Sequence, residues 1–424
     1  MSVFSRGTAS RSRVRTVIGG IAIAGASALV LAGCAGGGGT AEPSDSAAPA
    51  EDLTLKIGTV LPQTGSLAFL GPPEEAGVLL ASQEVNEAAA GVTTEITFGD
   101  SGDADNKAFE TTVPKLQSEG VSAMIGAAAS GVTKLFLDSN VSEGIITFSP
   151  ANTSPDFTSW DDNGLYWRTA PSDLLQGEVL GNLIAEDGHS NIGIIYQNDA
   201  YGTGLLGVVK EVFGASGGTV VAEASYNDGD TSFDAQVATV TAANPDAIVL
   251  ITFDQFATIA PLLVNAGQSA ENFYLVDGNL KQWGADVTVD LAGAKGTLPG
   301  PALEDDFQER LNEAWTGEGN TDLEDYSYAA ESYDAVVLLA LASLAAGSTE
   351  AADIAEHLQE VSGGSGDGET CTTFAECAEI INGGGVADYD GYSGGVAFDE
   401  NGDPTEASIG IFEFGADNMH TRIN

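Results

Sequence analysis

Small hydroxyl, amide and acid residues recur in this chain directly after short apolar runs. The run Val121 to Ile125 leads into GAAASGVT, which sets Ser130 and Gly131 at a strand-to-helix turn. Unpaired N–H groups and partial positive charge at such a helix start suit a carboxylate. The run ending at Phe148 continues as SPANTSP and brings Ser149, Asn152 and Thr153 to a comparable place. Farther along, QNDAYG carries Tyr201, FDQF carries Phe253 and Phe256, and Val276 is followed by Asp277-Gly278. Singly, each has a plain structural explanation: Ser130 and Thr153 as helix caps, Tyr201 as a packing residue, Asp277 as a turn residue. Together they supply hydroxyls and a helix start for a carboxylate, an acid for an ammonium, and aromatics to wall a side chain. That set suits a zwitterion such as an amino acid.

Marks of covalent chemistry do not accompany them. The sequence contains no HExxH or P-loop string, and His189, His357 and His420 fall in no nucleophile–base arrangement. No motif asks for a cofactor. The reading is a binding protein and not an enzyme.

The elements that must position these residues alternate. Strand Thr54 to Leu61, a helix around Glu74 to Ala90, strand Thr93 to Phe98, a helix around Ala108 to Glu119, and strands Val121 to Ile125 and Ile145 to Phe148 form a first βα set. A second set follows Pro171: helix Leu174 to Glu186, strand Ile192 to Tyr196, helix Gly204 to Ala215, strand Val220 to Ser225, a helix around Phe233 to Ala243, strand Ala247 to Thr252, helix Phe256 to Ala266 and strand Phe273 to Val276. Repeated βα units give parallel sheets whose carboxyl ends hold ligands, so an α/β fold of two doubly wound lobes is predicted. The tail breaks the alternation with the apolar helix Ser327 to Ala346, a second helix Ala351 to Val361, and strands Gly395 to Phe398 and Ser408 to Phe414.

The amino terminus places Arg6, Arg11, Arg13 and Arg15 before an uncharged run from Val17 to Ala32 that closes in Leu31-Ala32-Gly33-Cys34. This is a signal-peptide layout over 1–33 ending in a bacterial lipobox, with Cys34 as the lipid-modified first residue of the mature chain. The run is shorter than the roughly 20 residues a spanning helix needs. Residues 34–52, rich in Gly, Ala, Ser and Pro, read as a flexible tether. Lipid anchoring to the outer face of a cell membrane is expected. Formal net charge is −48, and losing the leader's arginines makes the mature chain more acidic still, which argues against a nucleic-acid partner. Cys371 and Cys377 in CTTFAEC are spaced for a small surface disulfide in an oxidising compartment; a two-cysteine metal site is the competitor, without histidines at ligand spacing.

Over most of its mature length the chain resembles the type I periplasmic binding proteins of ABC importers, in particular the leucine/isoleucine/valine-binding branch. The likeness runs through IGTVLPQTG, ASQEVN, MIGAAASGVT, ITFSPANTSPDFT, YWRTAPSD, NDAYGTG and YDGYSGGVAFDENGDP. It implies a two-lobe clamp joined by a multi-crossover hinge, with lobe 1 at 53–168 plus about 298–365 and lobe 2 at 169–297 plus about 366–424. It also implies a branched-chain or related amino acid in the interlobe cleft, delivered by a monomer to permease subunits. By matching motifs, Ser130, Asn152, Thr153, Tyr201 and Asp277 would face the ligand, and Leu67 and Phe69 stand where the family places side-chain pocket residues. Where many members carry a Tyr-rich string, this chain has FDQFAT, leaving Phe253, Gln255 and Phe256 as alternatives. Receptors for short-chain amides, urea or aromatic acids, and sensors feeding a surface kinase, share the pattern.

Overall fold

The structure, a computed structural model, describes residues 53–424; the leader, Cys34 and the tether lie outside the described residues. From its start the chain lays down β1 (Leu53–Val60), α1 (Gly71–Ala88), β2 (Val92–Thr97), α2 (Phe109–Glu119), β3 (Ala123–Gly126), α3 (Ser130–Glu143), β4 (Ile146–Ser149) and β5 (Tyr166–Arg168). These strands form an all-parallel sheet in the order β2-β1-β3-β4-β5. Strands β3 and β4 are buried along their whole length, as parallel strands covered on both faces must be; β3 is apolar throughout, while β4 also buries Thr147 and Ser149.

A second series follows: α4 (Asp173–Glu186), β6 (Asn191–Gln197), α5 (Ala200–Ala215), β7 (Thr219–Tyr226), α6 (Asp234–Ala242), β8 (Ala247–Ile251), α7 (Phe256–Asn265), β9 (Phe273–Leu275) and β10 (Lys295–Pro299). Then come α8 (Asp305–Gly317), α9 (Ala329–Ala346), α10 (Ala351–Val361), β11 (Glu369–Cys371), α11 (Phe374–Asn382), β12 (Ala387–Gly391) and β13 (Gly394–Gly395), and finally β14 (Ile409–Phe414) and β15 (His420–Arg422). The second sheet runs β15-β14-β10-β9-β8-β6-β7, parallel except where β14 meets β10 and β15. The doubly wound α/β architecture expected from the βα alternation is the one observed.

Helix α9 is mostly apolar all round because it is enclosed: Ala329 through Ser343 are buried, Glu331, Ser332 and Asp334 among them, packed with α1 and α10 on the back of the first sheet. Gly77 of α1 lets the two backbones meet, since a Cβ there would come within 2.2 Å of the Ala329 carbonyl oxygen. The expected allocation of 366–424 to the second lobe fails for its first part. Cys371, Phe374, Tyr389 and Phe398 pack into the first core with α9 and α10, and only β14 and β15 join the second sheet. The strand expected at Gly395 to Phe398 is reduced to the two residues of β13, with Phe398 in an isolated bridge to Pro404. Cys371 and Cys377 are joined by a disulfide that is buried in this core and not on the surface.

Two of the passages between sheets are bolted together by a buried ion pair. Arg168, at the end of β5, gives Nε to Asp403 Oδ1 at 2.6 Å and Nη2 to Oδ2 at 2.9 Å, while Nη1 reaches the carbonyls of Asn152 and Ser154. Gly402 makes the approach possible: its φ is +77°, and a Cβ would meet the Tyr166 carbonyl at 2.5 Å.

Candidate functional site

The carboxyl ends of both sheets converge on one cleft. At the end of β3, Gly126 turns the chain with φ +119°, where a Cβ would strike the Val60 carbonyl at 2.2 Å. Three alanines later α3 begins at Ser130, and its first bonds run from Val132 and Thr133 to Ala129 O, leaving the Ser130 and Gly131 N–H groups at the open end. Ala129 offers no side-chain cap. The turn is braced from behind: Asn152 Nδ2 donates to the carbonyls of Ala127 and Ala128 at 2.9 Å each, its Oδ1 accepts from Tyr166, and Ser149 Oγ donates to Ala127 O.

Opposite lies an acid pair. Asp277, just beyond β9, accepts from Tyr201 Oη at 2.6 Å and Gln176 Nε2 at 2.9 Å through Oδ1, and from Tyr328 Oη at 2.7 Å through Oδ2. Gln176 Nε2 also donates to Asp173 Oδ1 at 3.2 Å, so one amide links both carboxylates. Asp173 is fully buried, and neither its Oδ2 nor Thr153 Oγ1 has a well-formed hydrogen bond. Burial raises the pKa of both acids; for Asp173 the charge of Asp277 adds to the rise, and for Asp277 the donors Tyr201, Gln176 and Tyr328 pull it partly back. Two carboxylates served only by neutral donors form a site whose electrostatics favour an incoming cation.

Between the acid pair and the α3 start, Leu67, Leu70, Ala129 and Phe253 supply apolar walls. Phe253 stacks on Tyr201 with ring centres 5.4 Å apart. The space between these groups is ≈ 10 Å³, about the room of one water, and Ser130, Tyr201, Phe253 and Asp277 are all buried.

Of the residues singled out in the sequence, Ser130, Tyr201, Phe253 and Asp277 line this cavity. Asn152 does not; its side chain is spent on the turn carbonyls. Thr153 is buried beside Asp173, behind the cavity wall, and fixes α4 through Asp173 N to Thr153 O at 2.6 Å. Phe256 is absent from the cleft because α7 turns it to the far face of the second sheet, against Trp283 at 5.0 Å. Gln255 Oε1 accepts from Tyr226 Oη and Phe253 N, and thereby holds the Phe253 backbone. Phe69 sits on the flank under Lys281, while its neighbours Leu67 and Leu70 enter the cavity. Sequence reasoning missed Asp173, Gln176 and Tyr328. The first two lie in the opening turn of α4, where an acid and an amide pass for capping residues; Tyr328 precedes α9 with φ +61°, a conformation no local pattern announces.

Comparison with known proteins follows the same outline. Residues 54–378 match the family model described as periplasmic binding protein. A Leu/Ile/Val-binding protein homolog from Brucella abortus is 29% identical over 314 residues, 72% of this chain and 82% of that protein. A chemotactic signal transduction substrate-binding protein from Halobacterium salinarum is 25% identical over 363 residues, 81% of this chain and 83% of that one. Among solved structures, a leucine-binding protein from Thermotoga maritima superposes with a TM-score of 0.71 at 21% identity, covering 87% of this chain and 98% of the other.

Proposed function

Since the chain belongs to the periplasmic binding protein family, whose members bind solutes, we propose that it binds a branched-chain or related amino acid between its two sheets and hands it to the permease of an ABC importer. The observation that carries this reading is the buried Asp277, backed by Asp173 through Gln176, facing the α3 start at Ser130 across the cavity they line. The ammonium group meets Asp277 and Tyr201, the carboxylate meets Ser130 and the α3 N–H groups, and Leu67, Leu70 and Phe253 receive an aliphatic side chain. Tyr328 reaches Asp277 from the segment that leads into α9, so the ligand-gripping acid is also a contact between the two bodies. Closure is then the signal read by the permease, because a ligand that touches both bodies favours the closed form by its extra contacts there. The protein acts as a monomer tethered through Cys34 at the outer face of the membrane.

Thermal-shift and calorimetric titration of the purified protein tests the ligand class. Leucine, isoleucine or valine should raise the melting temperature and bind with one-to-one stoichiometry; a response only to short-chain amides, urea or benzoate would overturn the amino-acid reading. Cys34→Ala should move the protein from the membrane fraction to the medium without changing ligand affinity. The relative in Halobacterium favours a second reading, in which the closed form is recognised by a chemotactic transducer; deleting the gene should then abolish taxis toward the ligand and leave its uptake intact.

A further inference from the structure

A second cavity, of ≈ 290 Å³, lies on the flank of the passage from β10 to α8. Its walls come from both bodies: Leu298 and Phe412 on the second sheet, Leu303 and Glu331 on the side of α9, with the backbone of Pro299 to Ala302 between them. Glu331 is 4% exposed, and among the described residues no donor from another residue hydrogen-bonds its carboxylate. That carboxylate is aimed at the cavity wall, since a Cβ on Gly300 would lie 2.7 Å from Oε1. Behind it Glu74 of α1 is wholly buried with both oxygens unpartnered. The cation at this cavity, Arg422, is engaged elsewhere, with Nη1 on Gly300 O at 3.0 Å and Nε on Asn424 Oδ1 at 3.2 Å. His420, also in the wall, is held uncharged by burial, its pKa pulled down to about 4. Burial pushes Glu331 up to about 8, the response of a carboxyl that lacks a counter-charge.

We propose that this flank is a second ligand site, for a small primary alkylammonium whose charge meets Glu331 and whose carbon chain lies on Leu298, Leu303 and Phe412. A cation in this place supplies the missing counter-charge, and the chain's net charge of −48 concentrates cations at its surface. The site goes beyond the amino-acid reading and does not depend on it. Tyr328 lines both cavities, and its hydroxyl holds Asp277.

The test is saturation-transfer NMR and calorimetry with n-butylammonium on the purified full chain, its Asp277→Asn form, Glu331→Gln, and Ala302→Trp. Ala302 is exposed in the cavity wall, so its replacement blocks the space without disturbing the core. Saturable binding should be equal in the first two proteins and about tenfold weaker or worse in the last two, with circular dichroism and melting unchanged for Ala302→Trp. Three results would overturn the proposal: no saturable binding to the unmodified chain, loss in Asp277→Asn with Glu331→Gln unaffected, or equal binding of uncharged n-butanol. Leucine titrated into the same samples reports on the cleft separately, so failure at one site is distinguishable from failure at the other.

Discussion

Asp334 and Asp277 are both buried aspartates whose pKa is raised by burial, and both are met by tyrosine hydroxyls. They differ in where their donors are mounted. Asp334, on α9, receives Tyr389 Oη at 2.7 Å, Tyr392 N at 3.1 Å, Ser393 N at 2.7 Å and Ser393 Oγ, all from the β12–β13 hairpin that packs in the same core. Gly391 lets that hairpin close over the acid, since a Cβ there would lie 2.4 Å from the carboxylate. Asp277 draws Tyr201 from α5 and Gln176 from α4, beside its own sheet, but Tyr328 from the segment that leads into α9 on the back of the first sheet, and it borders a cavity. A carboxylate saturated by one rigid neighbourhood is a strut. One whose donors are split between two bodies changes its environment whenever those bodies move.

The largest effect expected from this contrast is on folding. Asp334→Ala strands several buried donors and should cost about 3–4 kcal/mol of stability in denaturant titration, with ligand affinity unchanged in the folded fraction. Asp277→Ala should act chiefly on binding, weakening an amino-acid ligand about 100-fold or more by calorimetry, with a smaller loss of stability than Asp334→Ala because removing its charge also relieves repulsion on Asp173. If both variants act mainly on stability, the contrast collapses. Tyr328→Phe removes the Asp277 donor that comes from the α9 side and should weaken binding about tenfold through a faster off-rate, measured by stopped-flow fluorescence; an unchanged off-rate would deny that contact its role.

The smallest expected effect is on pH dependence, and its sign is informative. Asp199 and Asp254 are pushed up to about 6 by burial. A carboxyl whose folded pKa lies above its unfolded value contributes stability that is fully present below the unfolded pKa and is lost as pH rises through about 6. The melting temperature should therefore be higher at pH 5 than at pH 7.5. Ligand affinity should move oppositely, because the raised pKa of Asp277 leaves less of the ionised form to meet an ammonium at low pH. Parallel trends would argue against a cationic group in the cleft.

What the sequence made legible follows from periodicity. The apolar β3 and β8 and the long, mostly apolar α9 announce themselves, because burial on all sides leaves few polar interruptions. Three-residue β5, β11 and β15 are too short to show alternation, and β10 reads KGTLP, with Gly and Pro inside it. Helix α5 opens at Ala200 and not at Gly204 because Asp199 caps it, Oδ1 accepting from Gly202 N at 2.8 Å. In the cleft, Ser130 and Asp277 were visible because they follow strand ends. Phe253 and Phe256 are three residues apart, yet the turn into α7 sends them to opposite faces of the sheet, a choice made by tertiary packing. Tyr328 is brought to Asp277 from 51 positions away, beyond any local pattern.

The enclosure of α9 has a consequence in time. The first sheet consists entirely of residues before 169, yet the helix that covers its back begins at Ala329. Its Arg168 likewise waits for Asp403, and the second sheet waits for β14 to pair with β10. Neither body can complete its core from a contiguous stretch, so every productive nucleus needs contacts of long sequence separation. Such a chain folds slowly and late, after nearly all of it is present. An unfolded stretch of more than a hundred residues must therefore stay soluble meanwhile, a task that mutual repulsion among 62 acidic side chains assists.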